Sequence, residues 1–136
     1  MVKTVKITQK VIIPATSMEV YEAYIDAEKQ SEFTGSAATS DPKVGGEFTA
    51  WDGYITGKYI ELEAGRRIVQ EWISSDFPEG TPPSRFEIIL KEIKGETELT
   101  MIHSGVPEEL AKDIGQGWKE YYWEPMKKYF KSRKHS

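Results

Sequence analysis

His103 is the one histidine before the terminal His135, and so the one side chain in the body of the chain able to trade a proton near neutral pH. It stands in Thr97–Ser104, where Leu99, Met101 and His103 share one strand face and Thr100 and Ile102 the other, so it points toward the interior. Two readings stay open. His103 is a core-edge histidine hydrogen-bonded to a neighbour, or it is a polar ligand contact or general base with a tyrosine hydroxyl as the acid. No Asp–Ser or Cys partner stands near it in a recognisable pattern. Other chemistries are missing altogether. There is no clustered His/Cys set, so no metal is expected. Gly45-Gly46 lacks the Lys-Ser/Thr that completes a phosphate loop, and no dinucleotide fingerprint or nucleophile elbow occurs, so no cofactor is expected either. Binding is the default activity, and catalysis the lesser expectation.

Aromatic side chains dominate what remains. Trp51, Tyr54, Tyr59, Trp72 and Phe86 fall on expected strands, beside Met101 and His103; Trp118, Tyr121, Tyr122 and Met126 fall on an expected helix. As core they would bury large areas. As the lining of a cavity, the polar tips of Tyr and Trp would suit a partly polar ligand, with Met126 an adaptable wall. Both roles stay open for each of them. Asp52 reads as a turn residue, Glu71 as solvent-facing, and Arg66-Arg67 as a solvated hairpin end.

The elements that must position these residues follow from periodicity. Val5, Ile7, Val11 and Ile13 mark a first strand that Pro14 stops. Thr16 and Glu19 fit a capping box for a short helix through Ile25, and Ala27–Phe33 is a second, ended by Gly35. Residues 35–46 read as turn-rich. Strands are expected at Glu47–Trp51, Tyr54–Glu63, Arg66–Ile73, Ser84–Ile93 and Thr97–Ser104, with a hairpin turn at Asp52-Gly53 and a bulge or bend at Gly57. Residues 74–83 form an irregular, proline-rich connection. A one- or two-turn helix at Glu108–Ile114 precedes a long helix over 115–130. In that helix Trp118, Tyr122, Pro125 and Tyr129 make one stripe and Trp123, Met126 and Phe130 a second, and Pro125 should kink it. Short connections imply an antiparallel meander of six to seven strands. The expected fold is α+β: a curved antiparallel sheet wrapped around the C-terminal helix, with two short helices after the first strand.

At 136 residues the chain fits one domain over 1–136. Its 38% hydrophobic and 29% charged residues are those of a soluble protein, and its net charge of −4 argues against nucleic acid as a partner. No stretch reaches the length and apolarity of a membrane span, and Met1–Lys6 lacks the apolar core of a signal peptide. The absence of cysteine fits a reducing compartment, so a cytoplasmic location is expected. Lys127, Lys128, Lys131, Arg133 and Lys134 read as cations complementing a helix C-terminus before a frayed end.

The order of Thr34-Gly35, Gly45-Gly46-Glu47-Phe48, Trp51-Asp52-Gly53-Tyr54-Ile55-Thr56-Gly57, Val69-Gln70-Glu71-Trp72, Ser84, Thr97-Glu98-Leu99, His103-Ser104-Gly105-Val106-Pro107 and Gly117-Trp118 resembles a known family. It is the one named for the C-terminal domain of the activator of the ninety-kilodalton heat-shock-protein ATPase, within the START-like, birch-pollen-allergen-like superfamily. The resemblance covers nearly the whole chain and implies the helix-grip fold. In the eukaryotic co-chaperones that domain follows a separate N-terminal domain, whereas this sequence is expected to begin at the domain's own first strand. Members of the wider superfamily bind hydrophobic small molecules. The resemblance therefore implies a binding protein for a small hydrophobic ligand held between sheet and helix, or, as the alternative, a chaperone-linked or stress-related accessory protein whose partner is the chaperone.

Overall fold

Apolar residues at every second position build the strands, and their shared inward face sets the register of the sheet. In the computed structural model, residues 3–134 are described. The side chains of Arg133 and Lys134, the frayed end expected after them, and Met1-Val2 lie outside the described residues. The elements run β1 (Thr4–Ile13), α1 (Ser17–Ile25), α2 (Ala27–Thr34), β2 (Thr39–Ser40), β3 (Glu47–Ala50), β4 (Ile55–Glu63), β5 (Arg67–Ser74), β6 (Ser84–Ile93), β7 (Glu96–Pro107), α3 (Glu108–Trp118), a π-type segment (Lys119–Trp123) and α4 (Glu124–Lys134). One antiparallel sheet has the order β1-β7-β6-β5-β4-β3-β2. The two terminal strands of the fold, β1 and β7, thus lie side by side, and the C-terminal helix returns across the inner face. This is the helix-grip architecture.

The helix ends follow local chemistry. Thr16 Oγ1 accepts from the Glu19 amide at 3.2 Å while Glu19 Oε1 accepts from the Thr16 amide at 2.9 Å, a complete capping box. Gly35 closes α2 at φ 77°, an angle that favours glycine.

Several expectations need correction. The turn-rich stretch 35–46 contains the two-residue strand β2, held at the sheet edge by Thr39–Thr49 and Ser40–Phe48 pairing. Strand β7 does not stop at Ser104. It runs to Pro107 through a bulge in which Ser104 and Gly105 oppose the single residue Lys6, Gly105 taking φ 74°. The bulge in β4 lies at Ile60, between Tyr59 and Glu61, rather than at Gly57. At Gly57 the backbone needs close approach instead, since a Cβ would collide with the Glu71 carbonyl oxygen and the Phe48 ring. Arg67 is more than a hairpin end. It lies on the outer sheet face, with Nε 2.7 Å from Glu87 Oε2, while Arg85 Nη1 lies 2.7 Å from Glu87 Oε1. Burial raises the Glu87 pKa, but the hydrogen bonds from Arg85 and Arg67 outweigh it and hold the carboxyl below its ordinary value.

The largest correction concerns the C-terminal helices. The two expected helices form one continuous run from Glu108 to Lys134, interrupted only in its hydrogen-bond spacing. Over Lys119–Trp123 the winding loosens, and the Glu124 amide reaches back five residues to the Lys119 carbonyl. Pro125 follows at once. It has no amide to donate, so the widened turn sits where an α-helical bond from residue 125 is impossible anyway. The extra residue per turn also places Trp118 and Trp123, five apart in sequence, on one side of the helix. Their rings lie 5.5 Å apart with planes inclined by 16°.

Candidate functional site

The inner sheet face and the helix meet in an aromatic core. Trp118 stacks on Phe86 at 4.2 Å, and Trp72, Tyr24, Tyr122 and Trp123 pack around them. Several polar tips inside it find partners. The Tyr24 hydroxyl donates to Gln70 Oε1 at 3.0 Å, the Trp123 indole N–H to Gln9 Oε1 at 2.9 Å, and the Tyr59 hydroxyl pairs with Ser40 Oγ at 2.7 Å. Burial raises the pKa of Tyr24 well above its ordinary value and that of Tyr59 to about 12, so both hydroxyls stay protonated.

His103 lies within this core, with no exposed surface. Trp72 and Phe86 present their rings edge-on to it, at 4.7 and 5.4 Å. Its hydrogen bonds specify its state. The Trp118 indole can only donate, and it does so to His103 Nδ1 at 3.1 Å. Nδ1 therefore carries a lone pair, and the proton of the neutral ring sits on Nε2. From there it is donated to Ser84 Oγ at 2.8 Å, which in turn donates to the Trp72 carbonyl at 2.6 Å. The chain of bonds starts and ends inside the protein. Burial pushes the imidazole pKa down to about 3. A sealed, neutral histidine with both nitrogens engaged has no lone pair to offer a substrate, which removes the general-base reading of His103.

One cleft opens between the sheet and the helix, with a volume of about 500 Å³. Its sheet-side wall is Trp51, Tyr54, Ile55, Trp72, Ser74 and Asp76; its helix-side wall is Leu110, Asp113, Ile114, Gly117, Trp118, Tyr121 and Tyr122. Of the sequence candidates, Trp51, Tyr54, Trp72, Trp118, Tyr121 and Tyr122 line it. Tyr59, Phe86, Met101, His103 and Met126 are buried behind it and do not. Trp72 and Trp118 form a buried floor at 5% and 2% exposure, whereas Tyr54 and Tyr121 stand at the mouth at 42% and 54%.

Trp51 and Tyr54 belong to the β3–β4 connection, not to a strand. Trp51, Asp52 and Gly53 take φ of 53°, 59° and 90°, three left-handed residues in succession. For Trp51 that backbone is unfavourable and must be held from outside. The helix holds it: the Trp51 indole N–H donates to the Tyr122 hydroxyl at 2.9 Å, and its ring meets Tyr121 edge-on at 5.5 Å. Burial raises the Tyr122 pKa above its ordinary value, so this hydroxyl too is neutral.

Leu110, Ile114, Asp113 and Asp76 were not among the candidates. The signal for the first two lay in the spacing: Leu110, Ile114, Trp118 and Tyr121 recur at i, i+4, i+8 and i+11, one stripe that a boundary drawn at Gly115 cuts in two. For Asp76, in the loop after β5, periodicity offers no signal.

No group of His, Cys, Asp and Glu able to hold a metal occurs among the described residues, and no helix there is long and apolar enough to cross a membrane. Residues 14–131 match the family model described as activator of Hsp90 ATPase homolog 1-like protein. Along 129 residues, 95% of this chain, the sequence is 32% identical to the human activator of 90 kDa heat shock protein ATPase homolog 1. The Dictyostelium discoideum homologue is 25% identical over 94% of the chain. The chain spans only 38% and 33% of the length of these two relatives. Among solved structures, an HSP90 activator from Plasmodium falciparum superimposes with a TM-score of 0.82 over 93% of this chain and 95% of that one; at 23% identity the likeness is one of fold. The match over most of the length, with the helix-grip sheet that carries it, shows that the chain belongs to the activator of Hsp90 ATPase homolog 1-like family.

Proposed function

We propose that this chain is a cytoplasmic accessory protein of an Hsp90-type chaperone, acting as one domain through a protein–protein contact. The observation that carries the reading is the 32% identity to the human activator along 95% of this chain. The chemistry of the molecule agrees with it. The core imidazole, His103, is held neutral by Trp118 and Ser84, in keeping with a role in binding. The test is direct. The pure protein is added to the cognate chaperone and steady-state ATP hydrolysis is followed, with complex formation measured in parallel. Stimulation with saturable binding is the expected outcome. No binding at micromolar concentration would end the proposal.

A second reading is favoured by the cleft. A half-open cavity of about 500 Å³ with six aromatic side chains in its walls has the size and lining of a small-molecule site. In this reading the protein holds a small, largely hydrophobic ligand between sheet and helix. Native mass spectrometry of the protein as purified, followed by denaturation and identification of what is released, tests it. A released hydrophobic molecule supports it, and an apo mass in every preparation counts against it.

A further inference from the structure

The cleft is apolar in its body but not at its rim. Asp76 enters from the loop after β5 and Asp113 from α3, one carboxylate from each wall, and no Lys, Arg or His is among the lining residues. Both aspartates are exposed, and neither carboxylate has a hydrogen-bond or ion-pair partner among the described residues. Several acids elsewhere on the surface are matched. Glu87 takes two arginines, Glu22 takes Lys29, Glu98 takes Lys10 and Glu108 takes Lys3. The two acids at the cleft have no such cation.

The walls add to this asymmetry. Tyr54 and Tyr121 stand at the mouth, and the Trp72 and Trp118 rings form the floor. The negative face of an aromatic ring attracts a cation and repels an anion, and the two carboxylates act in the same sense. The tyrosine and tryptophan groups that could favour an anion by donating are in part withdrawn: the Trp51 indole N–H is committed to Tyr122, and that of Trp118 to His103. An anionic amphiphile such as a fatty acid would find hydroxyl donors but would meet two uncompensated carboxylates and no cation among the lining residues. A cationic one would meet two counter-charges and a ring-lined entrance.

We infer that the cleft selects a small amphipathic cation, an apolar body carrying an ammonium or guanidinium head. The apolar body lies over Trp72 and Trp118, and the head sits at the mouth beside Asp76 and Asp113. This rests on the small-ligand reading of the cleft and names the class of ligand. It is independent of the chaperone contact.

The test uses two probes of equal chain length below their micelle concentrations, decyltrimethylammonium and decyl sulfate. Binding is followed by intrinsic tryptophan fluorescence in the wild-type protein and in the double variant Asp76→Asn/Asp113→Asn. Both positions are exposed, so the variant should fold, which near-ultraviolet circular dichroism checks. The expected result is that the cation binds the wild type about ten-fold or more tightly than the anion, the scale of one cation–π contact with partly screened charges. That preference should shrink in the variant and with added salt. If both probes bind equally, or the preference survives in the variant, the ionic selection is wrong while the cleft remains a ligand site. If neither binds, the small-ligand reading itself fails, and the selection with it.

Discussion

Acidification should weaken this protein through His103 by an amount that its geometry sets. In the folded chain the imidazole is buried and neutral, with Nδ1 facing the Trp118 N–H. A proton on Nδ1 would put two donors head to head in an apolar core. Burial accordingly takes the pKa from its ordinary 6.5 to about 3. In the unfolded chain the ring titrates at the ordinary value. The unfolded state therefore binds the extra proton first. The contribution is fully present above pH 6.5 and is lost as the pH falls from there to about 3. The slope approaches about 1.4 kcal/mol per pH unit in that window. Between pH 7.5 and pH 5 the single group then removes about 2 kcal/mol, a large share of a small domain's stability. Urea denaturation at both pH values, for the wild type and for His103→Gln, isolates the effect from the carboxylates that both proteins share. The variant should be less stable at pH 7.5 by about 1–3 kcal/mol, because Trp118 and Ser84 lose their fitted partner. It should also lose about 2 kcal/mol less than the wild type on going to pH 5. Nitrogen chemical shifts of the imidazole would show a proton on Nε2 alone down to about pH 4. Equal pH slopes in the two proteins, or a ring that titrates near its ordinary value, would refute the sealed hydrogen-bond chain.

Three further outcomes follow from the packing. Gly57→Ala should cost about 1–3 kcal/mol by thermal or urea unfolding, because the Glu71 carbonyl and the Phe48 ring leave no space for a methyl group; a change below about 0.5 kcal/mol would show that β4 moves freely there. Trp123→Ala should cost about 3–5 kcal/mol, since the ring is wholly buried and its N–H holds Gln9, whereas Tyr121→Ala, at the cleft mouth with 54% exposure, should change stability by less than about 1 kcal/mol yet weaken binding of any cleft ligand. Glu87→Gln should lower stability by about 1–3 kcal/mol, because Arg67 and Arg85 converge on that one carboxylate; an unchanged urea midpoint would mean that the outer-face ion pairs contribute nothing.

The order of elements and the identity of the fold were open to reading in the linear chain. Alternation in β5, β6 and β7, the capping box at Thr16 and Glu19, the glycine stop at Gly35 and the wide aromatic face after Gly117 are local signals. Each depends on neighbours within a few residues, and the structure has the cap, the glycine stop and the three strands, with β7 running on to Pro107. What the tertiary structure alone decided rests on distant partners. Gln9 meets Trp123 across 114 positions and Trp51 meets Tyr122 across 71, and no periodicity reports such pairs. Tyr121, Tyr122 and Trp123 are three aromatics in a row; the chain alone could not say that the first lies at a cleft mouth, the second against Trp51 and the third in the core. The widened helical turn makes that division, by shifting the face of the helix part-way along its length. His103 shows the same limit. Strand alternation turned it inward, but only the donor from Trp118, fifteen residues on, makes it neutral and silent. The site is built where sheet and helix close on each other, so its chemistry exists only once residues far apart in sequence share one surface.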